Sequence, residues 1–183
     1  MFGLIPETNM KYFTLLCVVA FVVACGSTPK KTENKSTTNG ELRETVFGDF
    51  NGDGKQEFAK LFQLTEGEYN VSFSSGSIKP IESSVIEFSA MYMTNEGDLN
   101  NDGADDIGMF LHSGESYWGT YAVYSYAGGE WKQLLSFGHN PGWNDMPFQE
   151  LVSKHPRKSC CVLIKEISLE QPDMIERIIE LQP

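Results

Sequence analysis

The sequence lacks any hydrophobic run long enough to span a bilayer: the run from Tyr12 to Ala24 holds 13 residues and is interrupted by Thr14. At helical rise it falls short of a hydrocarbon core of about 30 Å, which excludes a spanning helix there. Positive charge is scarce. Fourteen Lys and Arg stand against 25 Asp and Glu, giving a formal charge of -11. That balance opposes phosphate-backbone binding and polybasic docking to anionic lipid, so no nucleic-acid partner is expected. Histidine and cysteine are too few, at three and four, to make a zinc site beside the adjacent Cys160 and Cys161. Catalytic signatures are missing as well. His112-Ser113 with Glu115 has the composition of a triad but neither a Gly-x-Ser-x-Gly elbow nor a recognised spacing, and His139 and His155 sit in Pro-containing turns. The sequence therefore predicts no enzyme.

What is present is enough for one packed core. The 40% hydrophobic and 12% aromatic shares suffice for an interior, and short Val, Phe, Tyr and Ile runs separated by turn residues predict strands rather than long helices. The apolar run after Lys11 reads as the core of an export signal. It ends Val22-Val23-Ala24-Cys25, which resembles a bacterial lipobox, and this resemblance implies cleavage after residue 24 and diacylglycerol on Cys25. Two or three acyl chains hold a protein stably on a membrane, where one does not. Gly26 in place of Asp after the Cys favours the outer membrane. Residues 25–42, rich in Ser, Thr, Asn and Lys, form a tether with a coil reach of roughly 20 to 25 Å. Residues 43–183 remain for a single β domain. With Cys17 removed and Cys25 acylated, only Cys160 and Cys161 are left; a strand over residues 159–169 would send their thiols to opposite faces, and the alternative is a redox switch through a strained, readily reduced bond between them.

One internal repeat is clear: Gly48-Asp49-Phe50-Asn51-Gly52-Asp53-Gly54 returns 49 residues later as Gly97-Asp98-Leu99-Asn100-Asn101-Asp102-Gly103. Oxygen side chains at loop positions 1, 3 and 5, with Gly at 6, are the arrangement that wraps a chain around a hard cation. Asp49, Asn51 and Asp53 fill these positions in the first copy, and Asp98, Asn100 and Asp102 in the second. Position 7 offers the carbonyls of Lys55 and Ala104, and position 9 the carboxylates of Glu57 and Asp106. Three carboxylates per loop repel one another unless a cation intervenes; two Ca²⁺ would bring the formal charge from -11 to -7. Magnesium fits less well because it prefers several waters in rigid octahedral geometry. An EF-hand is excluded, since position 12 is Lys60 or Met109 rather than Glu and the flanks read as strands. Asp105, at position 8, is expected to point outward.

Asp-x-Asn-x-Asp-Gly-x-x-acid in a strand context resembles the calcium-binding loop of FG-GAP repeats, found in integrin-type propellers and in the VCBS class of bacterial surface proteins. Glu57 is the one conservative departure from that pattern, so the second loop is expected to bind more tightly. The resemblance reaches more loosely through residues 117–135, giving the pattern of small lipoproteins of Bacteroidetes-type bacteria. It implies two Ca²⁺ ions, held by the residues named above.

The remaining chain predicts a hairpin over residues 117–137 turning at Gly128-Gly129, whose aromatics pack cross-strand or into the core. Residues 148–152 and 161–169 predict a second hairpin. Residues 174–181 read as a closing strand, with a short helix capped by Asp173 and Glu176 as the alternative. The expected fold is all-β: two or three small antiparallel sheets of abbreviated propeller-like repeats, too short for a closed propeller. The expected role is a calcium-stabilised envelope lipoprotein that meets a protein or glycan partner. The alternative is a glycan-binding module that uses Trp118 and Trp143, with a hydrolase as the third class.

Overall fold

The short β-branched and aromatic runs that predict strands are realised in eleven strands among the described residues. The computed structural model describes residues 40–65, 67–82, 89–112, 118–142, 146–167 and 173–181, all within the compact unit Ser36–Pro183. The strands are β1 (Glu41–Gly48), β2 (Glu57–Thr65), β3 (Glu68–Phe73), β4 (Ile81–Glu82), β5 (Ser89–Gly97), β6 (Asp106–His112), β7 (Gly119–Ala127), β8 (Glu130–His139), β9 (Val152–Lys154), β10 (Cys161–Ile167) and β11 (Met174–Glu180). They form three antiparallel sheets, ordered β1-β2-β3-β4, β5-β6-β7-β8 and β11-β10-β9. The fold is all-β, as the composition predicts, and β1 begins two residues before the predicted domain start.

The sequence repeat is also a structural one. Each of the first two sheets is a four-stranded meander, and in each the acidic loop joins the first strand to the second. The second sheet is covered on both faces. One core cluster, around Phe50, Leu61, Val71, Met93, Ile107 and Met109, joins it to the first sheet; another, around Leu99, Phe110, Tyr121, Phe137, Val162 and Ile164, joins it to the third. Double coverage explains why β6 is buried continuously from Asp106 to Phe110, whereas β2 alternates, with Glu57, Ala59 and Leu61 buried and Phe58 exposed.

The aromatics of β7 and β8 pack inward rather than forming a platform. Trp131 stacks on Phe73 at 5.2 Å between centroids, and its indole N–H donates to the Lys79 carbonyl at 2.8 Å. Tyr126 donates to the Ser77 carbonyl at 2.9 Å. The β7–β8 turn has Gly128 and Gly129 at φ 64° and 82°, the pair of left-handed residues that a two-residue hairpin of type I′ requires.

The closing strand expected over residues 174–181 forms as β11: Ile175, Ile178 and Ile179 are β-branched, and β10 offers a complete antiparallel partner from Cys161↔Glu180 to Ile167↔Met174. Two expectations are corrected. Residues Phe148–Glu150 form a 3₁₀ turn rather than strand, leaving only Val152–Lys154 to pair with β10. The thiols of Cys160 and Cys161 do not diverge: Cys160 still belongs to the turn before β10, and the two sulfurs lie 3.1 Å apart.

Candidate metal centre

The two acidic loops share one pattern of backbone N–H donation to their Asp and Asn side chains. In the first, the Asp53 N–H donates to Asp49 Oδ1 and Asn51 Oδ1, both at 3.0 Å, and the Gly54 N–H donates to Asp49 Oδ2 at 2.8 Å. In the second, the Asp102 N–H donates to Asp98 Oδ1 at 3.0 Å and Asn100 Oδ1 at 3.1 Å, and the Gly103 N–H to Asp98 Oδ2 at 3.2 Å. Lys55 and Ala104 each donate an amide to the preceding Asp53 Oδ1 or Asp102 Oδ1, both at 2.9 Å. The backbones match too. Position 6 is left-handed in both loops, Gly54 at φ 80° and Gly103 at 93°, and so is position 4, Gly52 at 70° and Asn101 at 61°. Asn tolerates that region better than other non-glycine residues, which is why the copies differ there without changing shape.

Position 9 anchors each loop from inside. Glu57 Oε2 accepts the Phe50 N–H at 3.1 Å, and Asp106 Oδ2 accepts the Leu99 N–H at 2.8 Å. The longer Glu57 thus reaches the same backbone donor as the Asp, removing the geometric basis for ranking the second loop above the first. Both carboxylates are buried, Asp106 completely. Its Oδ1 has no hydrogen-bond partner among the described residues. A buried, unpartnered carboxylate oxygen is costly, and a cation is the natural group to satisfy it.

The electrostatics agree with an unneutralised acidic site. Burial raises the Asp106 pKa to about 6 against hydrogen bonds from the Leu99 N–H and Ser125, and the carboxylates of Asp102 and Asp98 add to the rise. Glu57 is also raised, first by burial and then by Asp53 and Asp49 against the opposing Phe50 N–H. Asp102 goes the other way: burial pulls it up, but bonds from the Ala104 amide, Asn100 and Ser125 outweigh that and hold it below the usual carboxylate range. Asp49, Asp53 and Glu57 each offer an oxygen within 4.8 Å of the others, whereas Asp98, Asp102 and Asp106 of the second loop form no such group. Across both loops the donors are carboxylate and amide oxygens with no imidazole or thiolate, a set suited to a hard cation.

Several residues that hold the site carry no motif. Asp105 does not point outward as expected; its Oδ2 accepts the Asp49 N–H and the Asn95 side chain, each at 3.0 Å. The Asp105 N–H in turn donates to the Asp49 carbonyl at 2.8 Å, and Asn95 donates to the Phe47 carbonyl at 2.8 Å. Position 8 of the second loop therefore grips position 1 of the first, and the two loops form one bracketed pair. Serines complete each loop: Ser77 accepts from Asn51 at 3.2 Å, while Ser125 accepts from Asn100 at 3.4 Å and donates to Asp102 Oδ2 at 2.9 Å. Ser77 follows β3 and Ser125 lies within β7, so their offset is 48 residues rather than 49 and the repeat conceals their equivalence. Asp105→Ala is expected to cost ~1–3 kcal/mol in urea unfolding, because the Asp49 amide loses its acceptor at the junction of the loops. A loss within error would show that the bracket carries no stability.

The other predicted positions are dispersed. Trp118 is half-buried immediately before β7, while Trp143 and the lipobox Cys25 lie outside the described residues. So do Ser113 and Glu115, leaving His112, half-buried with its ring 6.5 Å from that of Phe110. His155 Nδ1 accepts the amides of Arg157 and Lys158, both at 3.1 Å, a turn-closing role. Comparison with protein-family models, with curated proteins and with solved structures finds no match for this chain.

Proposed function

We propose that the protein is a calcium-stabilised, lipid-anchored envelope protein whose β domain acts as an interaction module rather than an enzyme. The observation that carries the metal is Asp106 Oδ1, buried and without a hydrogen-bond partner among the described residues, in a loop that repeats the backbone-to-Asp hydrogen bonds of the first. The residues that would hold the two ions are Asp49, Asn51, Asp53, Glu57 and the Lys55 carbonyl, and Asp98, Asn100, Asp102, Asp106 and the Ala104 carbonyl. The ion would supply positive charge between carboxylates that otherwise repel, locking the β1–β2 and β5–β6 connections. Since those connections grip each other through Asp105, binding at either loop would rigidify the same junction.

Calorimetric titration of the purified full chain with Ca²⁺ tests the reading, and two sites at sub-millimolar to millimolar Kd are expected. No heat of binding at millimolar calcium would reduce the loops to turns. The anchor rests on the lipobox resemblance and the outer membrane on Gly26. Cys25→Ser is expected to abolish palmitate labelling and to leave an uncleaved or soluble chain, because the 13-residue apolar run is too short to hold the protein alone. Unchanged size and labelling would overturn the assignment.

A glycan-binding module stands as the second reading on Trp118 and Trp143. The inward packing of Tyr121, Tyr126, Trp131 and Phe137 favours the protein-interaction reading over it.

A further inference from the structure

In a regular strand, successive side chains point to opposite faces, so adjacent cysteines keep their thiols apart. Here the turn before β10 prevents that. The Cys161 N–H closes onto the Lys158 carbonyl at 3.2 Å, and alternation starts only beyond it. Both sulfurs consequently lie together, 3.1 Å apart, with Cys160 exposed and Cys161 buried. Their carbonyls are pinned: the Cys160 oxygen accepts the Leu181 N–H at 2.8 Å and the Cys161 oxygen the His155 N–H at 2.9 Å. The turn is therefore held from both sides.

The turn ahead of the pair is cationic in a protein of net charge -11, while Glu180 stands opposite Cys161 on β11. Lys154, His155, Arg157, Lys158 and Ser159 line a cleft of about 360 Å³ together with Asn101 of the second acidic loop. Asn101 helps to shape it, donating to the Ser159 carbonyl and accepting from Lys154 Nζ, both at 2.8 Å. Among the described residues, Lys154, Arg157 and Lys158 take part in no ion pair. The cleft ends at the residue preceding Cys160.

We infer that Cys160 and Cys161 form a two-electron redox site that exchanges with a small anionic disulfide, such as oxidised glutathione, to give a vicinal disulfide. Cys160, as its thiolate, attacks one sulfur of the incoming disulfide; the external S–S bond breaks, and one half leaves as a thiolate that takes up a proton. Cys161 loses its proton and attacks Cys160 Sγ, forming the Cys160–Cys161 bond and releasing the second half as a thiolate that is protonated in turn. The dithiol is oxidised by two electrons, and the external disulfide is reduced to two thiols. Exposure assigns the first attack to Cys160. Proximity assigns resolution to Cys161, whose thiol is pushed up first by its hydrogen bond with Cys160 and then by burial, and so stays protonated until Cys160 has reacted. Adjacent Cα atoms lie ~3.8 Å apart, below the usual disulfide span of ~4.4–6.8 Å, so the bond is strained and readily reversed. The cationic cleft selects an anionic co-reactant. Neither the calcium loops nor the lipid anchor enters this chemistry.

The full chain is equilibrated with glutathione at stepped ratios of oxidised to reduced form, trapped with an alkylating agent in acid, and digested with trypsin. Cleavage after Lys158 and Lys165 isolates both cysteines in one peptide, Ser159–Lys165, away from Cys17 and Cys25. The expected result is a growing population lacking both alkyl groups and two hydrogens, returned to the dialkylated form by dithiothreitol. Cys161→Ser should instead accumulate a glutathione adduct on Cys160, and Cys160→Ser should leave the buried thiol unreacted. Arg157→Glu should slow oxidation by glutathione disulfide several-fold without changing the rate with neutral hydroxyethyl disulfide. A wild-type peptide that stays dialkylated in excess oxidised glutathione, or that stops at the mixed disulfide, overturns the redox site. Equal slowing with both disulfides by Arg157→Glu overturns the choice of an anionic co-reactant.

Discussion

Calcium at 2 mM is expected to raise the melting temperature of the purified protein by on the order of 10 °C over its value in EDTA. A loop with a Kd of ~0.1 mM gains RT ln(1+[L]/Kd), about 1.8 kcal/mol at ~2 mM calcium, and two loops gain about twice that. For a domain of this size each kcal/mol moves the midpoint by roughly 3–5 °C. Asp106→Asn isolates the second loop. Its remaining oxygen can still accept the Leu99 N–H, but an amide N–H₂ replaces the unpartnered Oδ1 that a cation would satisfy. Glu57→Gln does the same to the first loop, where one carboxylate oxygen accepts the Phe50 N–H. Each variant should keep the fold in EDTA and lose about half of the calcium-dependent shift. Identical melting curves for wild type in calcium and in EDTA would remove the metal from the account.

Acid should unfold the protein through His139, by an amount comparable to the calcium effect. His139 is completely buried at the end of β8, its ring edge-on to Phe110 and Phe148 at 5.8 and 5.6 Å, and neither ring nitrogen has a hydrogen-bond partner among the described residues. Burial lowers its pKa from 6.5 to about 4. For a base whose folded pKa is depressed, the unfolded chain takes up the proton first. Stability is therefore full above pH 6.5 and drains as the pH falls toward 4, by about 3 kcal/mol at ~1.4 kcal/mol per pKa unit.

Buried carboxylates act with the opposite sign. Burial raises Glu96 to about 7 and Asp106 to about 6, so their neutral forms favour the fold at low pH and their contribution is lost as pH rises through those values. His139→Leu leaves both carboxylates in place. The difference in unfolding free energy between variant and wild type therefore isolates the histidine. At pH 8 the two should be similar, since leucine removes two unsatisfied nitrogens at little change in volume. At pH 4 the variant should be the more stable by about 3 kcal/mol. A flat difference across that range would mean that His139 does not titrate with folding.

The two acidic loops were legible because they are local. A cation-wrapping loop needs its oxygens at fixed short spacings within one stretch of chain, so Asp49 to Glu57 and Asp98 to Asp106 display the pattern directly, and the structure gives both stretches one hydrogen-bond scheme. Strand content was legible for the same reason, since β-branched and aromatic runs between turn residues need no distant information. The positions of Asp105 and Asn95 were not, because their partners lie in another repeat, at Phe47 and Asp49. A side chain at position 8 points outward only with respect to its own loop; the neighbouring sheet makes that direction an interior one.

The same division runs through the rest of the chain. The sequence alone determined that this is an all-β chain with two equivalent acidic loops, since periodicity and spacing are properties of consecutive residues. Tertiary structure decided that residues 174–180 become a strand, because β10 supplies the hydrogen-bond partner that an amphipathic pattern cannot specify. It decided that the β7–β8 aromatics fill the space between sheets. It also brought Cys160 and Cys161 to 3.1 Å, because strand alternation applies only once a strand has begun, and a carbonyl three residues back fixed where that was.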